Sequence, residues 1–542
     1  MQDRKTWRHV LITKMFRKAR YLARFLPAFL LWGSFPPVGE RMDVFFALAL
    51  LMWYARTHSP EKSFRFSFMN GFLFWVATLS WMPAIIKNGG PWPLVVLGLG
   101  ALSAYCALFV GAFGYVSSVA WRIVRGRGYG WRLAVLVFVE PVLWAGLELV
   151  RSRAFGGFAW NQLGVALANS GLGAPAALGG VYLLSAIAVL VNGTVASIME
   201  RVYRPAAVSV PKWVRPVETF IPFLVVFALY WAAGKAAGSG VETGRNIRFA
   251  LVQRNFPCVF KARSENPVQA YAPLFESVSH ARPDVVVLSE SALAEFGDSV
   301  DSGSARRFAA YAMEKTGARA VLAGGSRRDG GKMYNSAALF VKGDGGDAAI
   351  SGVYDKVHLV PFGEYIPFDK TFEFLQELSP VGSCHEGTPR LLDFEGAALA
   401  VAICYEDTDS SLVRSFAKMG ADILVFITND SWFSESNEAM AHFWHATARA
   451  IETGLPVVRV GNSGVTAAIS PDGRPQILSD GSGVPLVDAC GVFSATVPVP
   501  AARLTVYSKT GDVPLAAAFL VALAAIVAAL RCECRKMIPV AA

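Results

Sequence analysis

ALAVAI at 398–403 runs without a break into Cys404-Tyr405-Glu406. Six apolar residues followed by a thiol and a carboxylate describe a strand buried on both faces, with polar chemistry at its C-terminal end. The same pattern recurs on both sides. RFALV at 248–252 precedes Gln253, and DVVVL at 284–288 precedes Ser289-Glu290. AVLA at 320–323 leads into Gly324-Gly325, and SAALFV at 336–341 into a Gly-rich turn. DILVFIT at 422–428 ends at Asn429-Asp430, and PVVRV at 456–460 ends at Gly461-Asn462. Helical segments lie between several of these, for example 305–316 and 438–452. Short β-branched runs alternating with helices predict a layered α/β domain with its chemistry at the strand ends.

That domain occupies only part of the chain. A soluble protein of 542 residues would divide into three or four domains. Here 54% of residues are hydrophobic, only 17% are charged, and the mean hydropathy is +0.40. Ordinary soluble chains carry about 25% charge, so a wholly soluble or disordered chain is excluded. The 49 Gly and 14 Trp suit membrane helices and their interfacial belts. The net charge of +10 is spread in short clusters between apolar runs. That is a membrane-orientation pattern rather than one basic face, and no nucleic-acid partner is expected. Seven cysteines make no disulfide scaffold at this length.

Runs near the length of a membrane span lie at 21–38, 42–55, 67–86, 93–121, 132–150, 174–199, 217–234 and 513–530. The first two are short or broken by Pro36-Pro37 and read as a tight hairpin. The expected architecture is a membrane bundle of about eight spans carrying the α/β domain. In order, it has a basic tail at 1–20, spans 1–7 at 21–240, the α/β domain at 245–508, span 8 at 513–530 and a tail at 531–542. Basic residues crowd the N-terminal tail and alternate loops (Arg56, Lys62, Arg65; Arg122, Arg125, Arg127, Arg132; Arg201, Arg204, Lys212, Arg215), and Arg531, Arg535 and Lys536 follow the last span. By the positive-inside rule both ends face the cytoplasm and the large domain faces outward. Gly111 and Gly114 within a span read as helix-packing positions.

Glu290, Lys356 and Cys404 stand at or near strand ends. Singly, each has a plain reading: a surface carboxylate, a solvated lysine, an inert buried thiol. Together they supply a base, a cation and a nucleophile. A thiol needs a base to become thiolate, and its attack on a carbonyl needs positive charge to hold the oxyanion.

At these residues the sequence resembles the nitrilase superfamily of carbon–nitrogen hydrolases, and more closely the apolipoprotein N-acyltransferase family. The resemblance rests on YDKVHLVPFGEYIPF at 354–368, AICYED at 402–407, NDSWF at 429–433, ARAIETG at 448–454 and GNSGVT at 461–466. Tyr334-Asn335-Ser336, Leu251-Val252-Gln253 and GGFAWNQLG at 156–164 fit as well. The resemblance implies an αββα sandwich on an eight-helix membrane domain in the bacterial inner membrane, with the catalytic domain in the periplasm. It implies Glu290 as general base, Lys356 as oxyanion cation and Cys404 as acylated nucleophile. Glu364 would position Lys356, Glu406 and Tyr405 would shape the site, and Asn335 would hydrogen-bond within it. Phe368, Phe372, Trp160 and Trp432 are the expected substrate-entry residues. The implied reaction is ping-pong transfer of an acyl chain from a phospholipid, with phosphatidylethanolamine the expected donor, to the amine of a diacylated apolipoprotein. No cofactor or metal is implied, and a monomer is expected.

The chain departs from the family pattern in places. Leu288-Ser289 stands where Trp-Pro is usual before the glutamate, and Lys261-Ala262 where Lys-Trp is usual. Ser434, Leu455 and Ala159 replace an expected Gly, Arg and Pro. No catalytic side chain is lost, but the missing tryptophans bear on substrate shape. The segment 361–375, rich in Phe and interleaved with charge, reads either as a lipid-facing lip or as buried core. Glu438, His442 and His445 share a helix face, which reads as helix packing rather than a metal site. Cys258, Cys384 and Cys490 allow at most one internal bridge. The alternatives are a membrane-tethered amidase, an acyltransferase with a different acceptor, and a transporter or scaffold. The last is kept open by Glu140 and Glu148 within spans.

Overall fold

In a computed structural model, residues 23–203, 215–237, 243–256, 267–293, 299–343, 346–365, 384–500 and 504–537 are described. The α/β part contains two six-stranded sheets. The first runs β1 (Thr243–Gln253), β2 (Val285–Leu288), β3 (Ala320–Asp329), β4 (Lys332–Lys342) and β5 (Ala348–Asp355). The second runs from β6 (Leu392–Phe394) through β7 (Ala397–Ile403), β8 (Ile423–Thr428) and β9 (Val457–Gly461) to β10 (Ala467–Ile469) and β11 (Pro475–Ile477). The last strand, β12 (Gly491–Pro500), returns to the first sheet and lies antiparallel to β1. The strands that end in Glu290, Cys404 and Asn429 sit in the parallel parts of the sheets.

The period of two along each strand decides the layering. Phe249, Leu251, Val285, Val287, Leu322 and Leu339 face a core shared with Leu399, Val401, Val425 and Val458 of the second sheet. Their neighbours Ala250, Val252, Val286, Leu288, Val321 and Phe340 face the opposite way, onto the helices Pro267–Val278 and Gly303–Thr316. Continuous apolar strands are thus covered on both sides, as the sequence requires, and an αββα sandwich results.

Among the described residues, five helices are long and apolar enough to cross a membrane: Trp92–Ile123, Tyr129–Arg151, Ala176–Tyr203, Pro216–Lys235 and Val513–Cys532. They coincide with five of the eight expected spans. The expected spans before Trp92 consist of shorter pieces, Leu26–Gly33, Ala49–Thr57 and Pro60–Thr78, with a 3-10 turn at Arg41–Phe45. Interrupted helices free backbone groups that must be satisfied inside the protein. Two asparagines meet that need. Asn70 Oδ1 accepts the Ala28 amide at 3.2 Å. Asn192 Oδ1 accepts the Leu48 amide at 2.8 Å while its Nδ2 donates to the Val44 carbonyl at 2.7 Å. Gly114 lies so close to Pro60–Thr78 that a Cβ there would meet Ser67 Oγ at 2.2 Å, the close packing expected of small residues in a span.

Glu140 and Glu148, both in the span Tyr129–Arg151, are held in place. Glu140 pairs with Arg56 at 3.1 Å and accepts from Ser117 Oγ at 2.7 Å and Trp121 Nε1 at 2.9 Å. Glu148 accepts from Trp144 Nε1 at 2.9 Å and from the Leu163 amide at 3.0 Å. These contacts fasten helices to one another, which removes the ground for reading Glu140 and Glu148 as a transport path.

The helix Glu438–Thr453 is buried on nearly every side. A helix with no exposed face lies between two layers. One layer is the second sheet and the other is the membrane part. The Trp444 ring lies 6.3 Å from Phe35, and Asn169 Nδ2 donates to the Trp444 carbonyl at 2.9 Å. Glu452 Oε1 accepts the Val181 amide at 2.8 Å.

Breaking the Arg56–Glu140 pair from one side should be costly, because the remaining charge stays buried. Arg56→Met is expected to lose about 3 kcal/mol of stability, and adding Glu140→Leu should restore much of it. Thermal unfolding of the detergent-solubilised protein measures both. Equal losses in the single and double variants would contradict the account.

Candidate active site

Strand ends bring the predicted residues together. Glu290 follows β2, Asn335 lies on β4, Lys356 follows β5, and Cys404 follows β7. Glu364 comes from the turn after the lysine segment. Lys356 is 1% exposed, and its Nζ lies 2.9 Å from Glu364 Oε1 and 3.8 Å from Glu290 Oε1. One amide group joins the two carboxylates: Asn335 Nδ2 donates to Glu290 Oε1 at 2.8 Å and to Glu364 Oε1 at 2.7 Å. The second oxygen of each is also held, Glu290 Oε2 by the Asn429 amide at 2.9 Å and Glu364 Oε2 by the Val360 amide at 2.9 Å.

The electrostatics follow from this geometry. Burial opposes a charge on Lys356, but Glu364 and Glu290 outweigh it and hold the ammonium above the usual lysine range. Glu364 is buried too, yet Lys356 and Asn335 keep it below the ordinary carboxylate range. Burial pushes Glu290 up despite Lys356. Burial, with help from Glu290, also pushes the Cys404 thiol well above its usual range, against the pull of Lys356. The set therefore holds a firm cation, a firm anion on Glu364, and two groups, Glu290 and Cys404, that retain protons more tightly than in water. Such a pair is suited to passing one proton between them.

Cys404 has φ +54°, a left-handed conformation that costs a non-glycine residue about 1–3 kcal/mol. Glu406 accounts for its persistence. Glu406 Oε1 accepts the Val357 amide at 2.6 Å and the His358 amide at 3.0 Å, and Oε2 accepts the Ile403 amide at 2.7 Å. Tyr354 Oη donates to both oxygens. One buried carboxylate thus staples the backbone after Lys356 to the backbone before Cys404. Its own pKa is pushed up to about 7 by burial.

Matches to known proteins cover both the membrane part and the α/β part of the chain. Residues 27–194 match the model of the apolipoprotein N-acyltransferase N-terminal domain, and residues 274–481 match that of carbon-nitrogen hydrolase. An apolipoprotein N-acyltransferase of Geobacter metallireducens is 31% identical over 84% of this chain and 86% of its own. That of Photobacterium profundum is 29% identical over 86% of this chain and 87% of its own. The chain belongs to the apolipoprotein N-acyltransferase family. Among solved structures, an amidase from Nesterenkonia sp. is 19% identical, covering 51% of this chain and 98% of that one, with a TM-score of 0.36.

Other expected site residues of this family member are placed less centrally. Tyr405 Oη donates to the Gly157 carbonyl at 3.4 Å, joining the Cys404 segment to the membrane part. Trp160, expected at the substrate entry, is 3% exposed and packs against His442 and His445 with ring centroids 5.7 and 5.4 Å away. Apolar area and a buried loop draw it into the packing behind the site instead. Trp432 is partly exposed, and its carbonyl accepts from Asn88 Nδ2 at 2.8 Å. Phe368 and Phe372 lie outside the described residues, as do Lys261 and Cys258. Phe362, at the start of the expected lip, is 66% exposed. Cys384 and Cys490 are free.

Sequence reasoning missed Asn429, which holds Glu290 through a backbone amide, and the charged group behind Cys404. There Asp407, Asp430, Glu438, His442 and Arg459 are all buried. Gly464 of the GNSGVT stretch gives Asp430 its space, since a Cβ there would fall 1.7 Å from Asp430 Oδ2. Among the described residues, Asp430, Glu438 and His442 are the one set whose ligand-type atoms lie within 4.8 Å of each other. Arg459 already lies 3.5 Å from Asp430, so the set is balanced by charge from within.

Glu406→Gln tests the staple. A glutamine offers one acceptor oxygen, and its NH₂ would point at backbone N–H groups. The variant is expected to lose roughly 2 kcal/mol of stability and to react far more slowly at Cys404. Thermal unfolding and thiol labelling measure the two effects, and wild-type values in both would refute the assignment.

Proposed function

We propose that this chain moves one fatty acyl chain from a membrane phospholipid, through a thioester on Cys404, to the α-amino group of the diacylglyceryl-cysteine of an apolipoprotein. The observation that carries the reading is the Glu290–Lys356–Glu364 set beside Cys404, built into a domain that shares a core with membrane helices. The relatives bear the name apolipoprotein N-acyltransferase, which supports the same substrates here.

Glu290 takes the thiol proton as Cys404 Sγ attacks the ester carbonyl. The carbonyl electrons move onto oxygen, where Lys356 stabilises the charge. The C–O bond breaks, the departing lysophospholipid oxygen takes the proton from Glu290, and a thioester remains. The acceptor amine then attacks the thioester, Glu290 takes the amine proton, and the thiolate leaves and is reprotonated. An ester is already activated, so the cycle calls for no cofactor. Phosphatidylethanolamine is the donor we favour, and the protein acts as a monomer. An amidase that passes the acyl group to water is the second reading. The helix Glu438–Thr453, buried between the sheet and the membrane helices, is more than a tether and favours a lipid substrate.

The domain faces the periplasm in this proposal, by the alternation of basic loops. A reporter active only in the cytoplasm, fused after Gly240, should be silent, and a strong signal would overturn the orientation.

Phospholipid alone should load one acyl chain onto Cys404, cleavable by neutral hydroxylamine and absent in Cys404→Ser. Lys356→Met should slow loading by about a hundredfold or more, the usual effect of losing an oxyanion partner, about 3 kcal/mol. Burial raises the pKa of Glu290 above its ordinary 4.5, so the base ionises late. Loading should climb with pH through that raised value, and Glu290→Gln should flatten the climb. Discharge of the loaded enzyme should await a diacylated lipopeptide. Rapid discharge to water would support the amidase, and no loading in folded protein would sink both.

A further inference from the structure

The charged group behind Cys404 plays no part in the steps above. His442 stands at its centre and is 2% exposed. Its Nδ1 lies 3.0 Å from Asp430 Oδ1 and 3.6 Å from Glu438 Oε1. Its Nε2 lies 2.9 Å from Asp407 Oδ1 and 3.3 Å from the carbonyl oxygen of Cys404. Both nitrogens thus face acceptors. A neutral imidazole donates from only one nitrogen, so the arrangement calls for the doubly protonated ring. Burial works against that charge, but Asp407 and Asp430 prevail and hold His442 well above the usual histidine range. Arg459 meets Asp407 and Asp430 at 3.5 Å each and completes the balance. His445, next to it on the helix, is pushed well below its usual range by burial and by Arg449, and is neutral. The Trp160 ring closes one side.

The acceptors belong to the two loops that carry the chemistry. Cys404 and Asp407 are on one. Asp430 is on the other, next to Asn429, whose amide holds Glu290 Oε2 at 2.9 Å. We propose that His442 is a positioning residue that fixes Cys404 against Glu290, hydrogen-bonding the Cys404 carbonyl through one ring nitrogen and Asp430 through the other. The proposal rests on Cys404 and Glu290 acting in the covalent step. It also explains how a left-handed cysteine is kept in one orientation: Glu406 holds the backbone before it, and His442 holds its own carbonyl.

The test uses the full-length protein in phosphatidylethanolamine nanodiscs, with two readouts. One is single-turnover acyl loading at varied lipid content. The other is alkylation of Cys404 by iodoacetamide across pH, followed by peptide mass spectrometry. His442→Phe keeps ring volume and removes both donors. It should lower the maximal loading rate roughly tenfold to a hundredfold, leave the half-saturating lipid content unchanged, and shift the alkylation profile upward by about one pH unit. His442→Gln, which donates on one side only, should recover part of the rate. Wild-type loading with an unshifted profile in folded His442→Phe would overturn the proposal. So would a loss that follows the thermal midpoint or the half-saturating lipid content instead of the rate. If His442→Phe does not fold, His442→Gln decides: an intermediate rate supports the proposal and a wild-type rate overturns it. A wild type that is alkylated at Cys404 but never loads lipid would defeat the acyl-transfer reading alone, and the alkylation shift would still judge His442.

Discussion

A lysine ammonium with almost no contact with water must have its charge answered by the protein. Lys356 meets that constraint with Glu364 at 2.9 Å and Glu290 at 3.8 Å, and much of the site's construction follows from it. Two carboxylates so close together would repel, so Asn335 places one NH₂ between them. Their outer oxygens need donors as well, and backbone amides of Val360 and Asn429 supply these. Each added partner fixes another loop, until the ends of four strands from two sheets are locked around a single cation. Desolvation would make a lone charge costly here. With its partners in place the same desolvation strengthens the field that a developing oxyanion would feel.

A second buried carboxylate does mechanical work of another kind. Glu406 is fully buried, and among the described residues no cation forms an ion pair with it. Four donors converge on it from Tyr354, Val357, His358 and Ile403. It therefore fixes the distance between the lysine strand and the cysteine strand by hydrogen bonds alone. The AICYED stretch carries the nucleophile and its staple two residues apart, which is why the short motif is so informative.

Much of this was legible in the sequence because it depends on local pattern. Unbroken β-branched runs mark strands covered on both sides, and polar residues at their ends mark the site. Glu290, Lys356 and Cys404 stand at or near such ends, the family resemblance added Glu364 and Asn335, and the structure brings all five together. Long apolar runs likewise located five helices with little error. What the sequence hid depends on distant partners. Nothing about Asn429 announces that its backbone amide will hold a glutamate 139 residues away. Asn70 and Asn192 look like faults in apolar helices until the interrupted backbone they serve is seen. Trp160 resembles a lipid-contacting residue because aromatic residues next to spans often sit at the interface. Its burial is set by His442 and His445 from a helix nearly three hundred positions later. The lip around Phe368 and Phe372 lies outside the described residues.

The helix Glu438–Thr453 also bears on how the molecule is assembled. The ribosome delivers the membrane segments from Leu26 to Lys235 first, then strands β1 to β8, and then this helix, with β9 to β12 still to follow. Its outer face, with Trp444 and Glu452, finds its seat on Phe35, Asn169 and Val181, which belong to segments made long before. The spans made by then are thus a mould for the second sheet, and the last span, Val513–Cys532, joins them afterwards. A catalytic domain cut free of this mould would bare Trp444 and Ile451 of the helix, both buried here. Such a fragment would associate with copies of itself rather than remain a small soluble enzyme. The membrane is therefore part of this domain's biogenesis as well as its place of residence.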